Sequence, residues 1–126
     1  MAFTDYLENK LVAHTFSNTA YTSPSTVYVA LYTVAPTDSS TGTEVTGGAY
    51  ARQSASFTTT GNAATNASAI EYPTATASYG TVVAVAILDA SSSGNMLAYA
   101  ALSSNKTIET GDVLRIPAGD LDITLT

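Results

Sequence analysis

Thr81-Val82-Val83-Ala84-Val85-Ala86-Ile87-Leu88 is the stretch on which the fold turns. Its β-branched residues favour an extended chain, and its near-continuous apolar run predicts a strand buried on both faces. It is too short to span a bilayer. Asp89 to Asn95, rich in serine and carrying Gly94, turns the chain, and Met96 to Leu102 returns it, which predicts a hairpin with a long loop.

Downstream the pattern repeats in shorter pieces. Lys106 to Glu109 reads as a strand, Thr110-Gly111-Asp112 as a tight turn and Val113 to Ile116 as another strand. Pro117 to Asp120 turns again. The last segment alternates: Leu121, Ile123 and Leu125 are expected inward, Asp122 and Thr124 outward.

Upstream, Thr26 to Thr33 puts Val27, Val29 and Leu31 on one face and Tyr28 and Tyr32 on the other. Both faces are apolar, so this is a central strand or one covered on its second face by a helix. Ala35-Pro36 ends it, and Thr37 to Gly48 forms a long Ser/Thr/Gly-rich loop of the kind that is functional or mobile. Tyr50 to Phe57 resumes strand character. Thr58 to Ser68 reads as a polar loop with a turn at Gly61-Asn62, and Ala69 to Tyr72 as a short strand stopped by Pro73.

The N-terminal segment predicts a helix. Phe3, Leu7 and Leu11 recur every fourth residue, Thr4 or Asp5 can cap it, and Asp5 with Glu8 resembles a capping box. Acids lead and Lys10 and His14 trail, which suits the helix dipole. A helix this short is marginal alone, so it must dock on its own sheet or on a neighbouring subunit. Together these elements predict an all-β fold: an antiparallel β-sandwich or jelly-roll-like domain with one N-terminal α-helix. The expected organisation is a single domain over 1–126, with a docking helix in 1–16 and the β domain in 26–126.

Composition excludes several functions. Charged residues are 11% of the chain against 45% hydrophobic, and the net charge is −6. Lys10, Arg52, Lys106 and Arg115 are the only cations besides His14. Neutralising phosphates needs a clustered basic face, so no nucleic acid and no anionic membrane is expected as partner. With no Cys there is no disulfide frame and no thiolate, which fits assembly in a reducing cytoplasm. Met1 to Val12 has the charges of a docking helix rather than the apolar core of a signal peptide. The sequons at Asn66-Ala67-Ser68 and Asn105-Lys106-Thr107 then carry no glycan.

No residue set supports catalysis or a cofactor. His14 is the only histidine, and a helix-end residue near the last carbonyls is its expected role. Gly42 to Gly48 has phosphate-loop glycine spacing, but Gly48 stands where the lysine is needed and no helix is expected to follow. Asp112, Asp120 and Asp122 are read as solvated or edge-protecting carboxylates rather than a calcium site. Eight tyrosines raise the possibility of a carbohydrate-binding face; their alternation within strands favours packing instead. Arg52, a cation among apolar neighbours, is read as a local ion pair with Glu44 or Glu71, or else as an inter-subunit pair.

Several blocks resemble a run shared by small structural proteins of tailed bacteriophages. They are Tyr6 to Leu11, Ala20 to Pro24, Val29 to Asp38, Gly42 to Val45, Tyr50 to Gln53, Tyr72 to Thr76 and Ala118 to Leu125. The resemblance covers essentially the whole chain. It implies a non-enzymatic virion protein, either tail-fibre-like or a capsid cement (decoration) protein, located on the capsid surface or tail and assembled in the host bacterial cytoplasm. The leading expectation is a cement protein that binds the major capsid protein or other virion proteins, as a homo-oligomer (trimer or dimer), and stabilises contacts between capsomers. The alternatives are a tail or tail-fibre adaptor and a carbohydrate-binding module. No cofactor and no metal are expected. Phe3, Leu7, Leu11, Glu44 and Arg52 are the candidate protein-interface residues.

Overall fold

The apolar run of residues 81–88 sits where it can be covered from every side, in the middle of an antiparallel sheet. A computed structural model describes residues 1–125; the last residue of the expected domain, Thr126, lies outside them. Along the chain run β1 (Ala2–Phe3), α1 (Asp5–Phe16), β2 (Val27–Val34), β3 (Thr43–Glu44), β4 (Gln53–Ala55), β5 (Phe57–Thr60), β6 (Ala63–Asn66), β7 (Ile70–Glu71), β8 (Gly80–Leu88), β9 (Met96–Ile108), β10 (Arg115–Ile116) and β11 (Asp122–Thr124).

The main sheet has the order β1-β9-β8-β2-β3, and β4 also pairs with β2. Its centre is β8, bonded antiparallel to β2 (Ala30 opposite Ala86) and to β9 (Ala86 opposite Tyr99). Two small antiparallel sheets, β10-β7 and β11-β6-β5, contribute to the opposing layer. Between the layers lies the main core, in which Val29, Leu31, Val85 and Ile87 from the large sheet meet Ile70, Leu114 and Leu121 from the other side. The chain is therefore an all-β fold with antiparallel pairing and one N-terminal helix, as its patterning dictates.

The second face of the large sheet buries Ala30, Tyr32, Ala84, Ala86, Leu88 and Met96. Alanines let the tyrosine and methionine side chains lie close over the strands. The helix does not cover this face, contrary to one expectation: its Tyr6 and Leu7 pack on the main core. The loop after β2 and the loop between β8 and β9 lie over it instead. Tyr32, Leu88 and Met96 share a cavity of about 230 Å³ with Thr41, Gly42 and Gly94. Close approach there demands glycine: a Cβ on Gly42 would lie 2.3 Å from the Val34 carbonyl oxygen.

Several expected boundaries move. Phe3 belongs to β1, opposite Ala98, and not to the helix. The N-cap is Thr4, whose hydroxyl accepts from the Leu7 N–H; the position three residues on is Leu7, so the Asp5–Glu8 capping box does not form. Thr58 to Ser68 is not a loop but most of a hairpin, β5 with β6, turning at Gly61-Asn62. Thr43 and Glu44 leave the expected loop to pair with Val34 and Tyr32. The two strands expected at Met96–Leu102 and Lys106–Glu109 fuse into the single β9, which carries a wide bulge: Val82 opposes Lys106 while Ala84 opposes Ala101, so Leu102 to Asn105 face Val83 alone. Leu125, expected inward, is 56% exposed, because β11 ends at Thr124.

Candidate functional site

Strands β3 and β4 share one edge of β2, and the gap between them organises the most elaborate polar cluster. β4 pairs with Val27 to Val29 and β3 with Tyr32 to Val34. This leaves Leu31 without a strand partner on that side. Its carbonyl accepts from the Val45 N–H, and its N–H donates to the Tyr50 hydroxyl at 3.1 Å. That hydroxyl donates in turn to Glu44 Oε2 at 2.6 Å. One phenol thus completes a sheet edge and hands its own proton to a carboxylate.

Arg52 closes the cluster. Its Nε donates to Glu44 Oε2 at 2.9 Å and its Nη2 to Oε1 at 2.8 Å, a two-point grip. Nη1 donates to the carbonyls of Ala90 and Ser93 at 2.9 and 2.8 Å, across the tip of the β8–β9 loop. The Arg52 side chain is only 9% exposed. A guanidinium at that burial needs these partners to offset its lost hydration. Of the two sequence readings of Arg52, the structure shows the pair within the chain, with Glu44; Glu71 instead stands opposite Arg115.

The charges answer to this packing. Burial pushes the Glu44 carboxyl up, but the hydrogen bonds from Arg52 and Tyr50 outweigh it and hold the group below its ordinary value. Tyr50 is pushed up by burial and by its bond to Glu44. Burial also pushes Tyr32 up to about 12, with Glu44 adding and Arg52 opposing. Tyr50 stacks on Tyr72 with ring centres 6.0 Å apart and meets Tyr79 edge-on at 5.8 Å. The Tyr72 hydroxyl donates to the Val29 carbonyl at 2.7 Å. These groups are neutral phenols and a fixed ion pair: an arrangement suited to rigidity and to fixing the shape of the loops above it.

The other expected interface residues lie elsewhere. Phe3, Leu7 and Leu11 are each half-buried at the helix end of β1 and β9. The structure brings Glu44 and Arg52 together and leaves these three as a separate group. Thr4 anchors them: its N–H donates to the Leu97 carbonyl at 3.0 Å, and its buried hydroxyl donates to the Met96 carbonyl at 2.6 Å. His14 Nδ1 accepts from the Tyr21 N–H, tying the helix end to the next loop rather than meeting the last helical carbonyls. Asp112 accepts from the Glu109 N–H and serves a turn. Of the eight tyrosines, Tyr32, Tyr72 and Tyr79 are buried and Tyr6, Tyr21, Tyr28, Tyr50 and Tyr99 are partly exposed.

Two features were not visible in the sequence. Asn66, read only as a sequon, is 2% exposed. Its amide donates to the Ser68 and Pro117 carbonyls and accepts from the Leu121 N–H, which locks β6 to the last turn. No residue pattern announces such a role. The Tyr50–Tyr72–Tyr79 cluster joins residues from three loops outside the strands. Asp5, Glu8 and Asp38 also gather, their carboxylate oxygens within 4.8 Å of one another, all exposed.

A search of curated proteins found no match to this chain. The model of one protein family, described as podophage GP4 fiber I protein gp80, matches residues 2–124. That span includes every strand and the helix, so the braced loops and the docked helix are features of the matched region and not of an appendage. The chain belongs to the podophage GP4 fiber I protein gp80 family, and it is a structural protein of a phage virion.

Proposed function

We propose that the protein is a fibre component of the phage tail that acts as a compact adaptor, holding other virion proteins in place without catalysing a reaction. The observation that carries this reading is the family match over residues 2–124. The geometry supports it. Glu44, Arg52 and Tyr50 fasten the loops at one side of the sheet, giving a preformed surface that loses little freedom on binding. The sole histidine is taken up at its Nδ1 by a backbone N–H. A surface with few charges is desolvated at small cost when neighbours cover it.

Cement on the capsid is the second reading. It is favoured by the absence of repeats or a shaft in the sequence, since a compact unit suits decoration of a lattice. Fractionation separates the two. Purified particles are split into tails and tailless heads, and each fraction is probed with an antibody to this protein. The fibre reading expects the signal on tails and none on heads; signal on heads alone would replace it with the cement reading.

A further inference from the structure

Only one side of α1 is used by its own chain. Tyr6 and Leu7 pack on the core, and Lys10 lies over the Tyr6 ring at 5.6 Å. The opposite side presents Asp5, Glu8, Val12 and Phe16, spaced by three and four residues and so aligned along the axis. Val12 is 57% and Phe16 80% exposed. The stripe is therefore bipartite. Its first turn is acidic, and Asp38 adds a third carboxylate beside Asp5 and Glu8. Its last turns are apolar.

A groove of about 410 Å³ at the far end of β9 has the complementary character. Val85, Leu102, Leu114, Ile116 and Leu121 give it apolar walls, and Lys106 and Arg115 stand on its rim. Neither cation makes an ion pair among the described residues, while Arg52 is held by Glu44. Both rim cations are exposed, and Glu71 stands opposite Arg115 across the β7–β10 pair. Asp120 and Asp122 also line the groove and repel carboxylates, so the acidic turn is attracted only in the pose that sets it on Lys106 and Arg115 and away from the two aspartates.

We infer that this groove receives helix α1 of a second copy of the chain, with Val12 and Phe16 seated between its apolar walls and Asp5 and Glu8 against Lys106 and Arg115. Charge complementarity and the match of an apolar helix end to an apolar groove identify the occupant. Donor and acceptor surfaces differ: α1 is anchored at Met96 and Leu97 of β9, whereas the groove begins at Ala100 and reaches Lys106. The contact is therefore head-to-tail. It closes into a ring or runs on as a filament, and a closed trimer is one such ring.

Sedimentation velocity on the full-length protein tests this. The unmodified chain is expected to self-associate with rising concentration. Phe16→Asp, and separately the pair Lys106→Glu with Arg115→Glu, should each weaken association at least ~10-fold, about 1.4 kcal/mol, with thermal unfolding unchanged because all three sites are at the surface. Mixing the two variants should restore pairing, since one keeps a sound groove and the other a sound helix, and growth should stop at the mixed dimer. An unmodified chain that stays monomeric at its highest soluble concentration overturns the inference. So does a Lys106→Glu/Arg115→Glu protein that associates normally, the result expected if helices pair with helices.

Discussion

At the level of single residues, Tyr50 carries more than its ring. Its hydroxyl is at once the acceptor for the Leu31 N–H and the donor to Glu44. Tyr50→Phe keeps the stacking on Tyr72 but strands a backbone N–H beneath the sheet edge, and should cost about 1–3 kcal/mol in denaturant unfolding. Glu44 sets a pH dependence. Its folded-state pKa lies below the ordinary value of 4.5, so the unfolded chain takes up the proton first on acidification. The stability it adds is fully present above about pH 4.5 and is lost as pH falls through the depressed folded value. Glu44→Gln should therefore destabilise the protein at neutral pH by about 1–2 kcal/mol, a figure reduced because the carboxylate is partly solvated. The gap to the unmodified protein should narrow in acid, read from urea titrations at a series of pH values. None of this pairing was fixed by the sequence reading, which left Arg52 open between Glu44, Glu71 and another subunit. The choice was made by strand pairing: β3 and β4 meet the same edge of β2, and that alone sets Glu44 beside Arg52.

At the level of elements, the strongest apolar patterns were the most legible. Residues 81–88 and 27–33 became the two central strands because burial on both faces leaves little choice of residue. The β5–β6 hairpin was missed because Thr58, Thr59, Ala64 and Thr65 carry weak apolar contrast, and its only clear signal, Gly61-Asn62, was read as a turn without arms. The helix was found but started too early. Phe3 fits the four-residue spacing, yet pairing with Ala98 draws it into the sheet, and Thr4 begins the helix instead. Thr4 is where that decision is fixed. Thr4→Ala removes the cap at Leu7 and the hydroxyl held by Met96, and should lower stability by about 1–2 kcal/mol. Hydrogen exchange should show faster amides in the first turn of α1 than in β8, because the loss is local to the helix start.

For the molecule as a whole, two layers close around the main core while a second apolar cluster lies on the other face of the large sheet, and the polar groups that cross between elements are matched: among the described residues every buried side-chain nitrogen and oxygen has a partner. Membership of a fibre family was legible as a resemblance spread over blocks from Tyr6 to Leu125, and the family match from 2 to 124 spans all of them but Leu125. The groove at Lys106 and Arg115 was not legible, because its walls come from segments far apart in the chain that only folding brings together. The candidate interface residues were chosen for local pattern, and local pattern reports packing within the chain before it reports surfaces between chains.

The bulge at Leu102 to Asn105 bears on whether copies of the chain stack on one another. Strand β1 covers β9 only at Ala98 and Tyr99, so the outer margin beyond them carries no neighbouring strand among the described residues. A straight margin of that kind would recruit identical margins from adjacent copies and seed cross-β stacking. Four residues crowded opposite Val83 bend it out of true. Excising Ser103, Ser104 and Asn105 leaves one residue opposite Val83, and should straighten the margin and convert concentrated solutions to thioflavin-positive fibrils, while the unaltered chain stays clear: three small polar residues would then be what keeps neighbouring copies from ageing into amyloid.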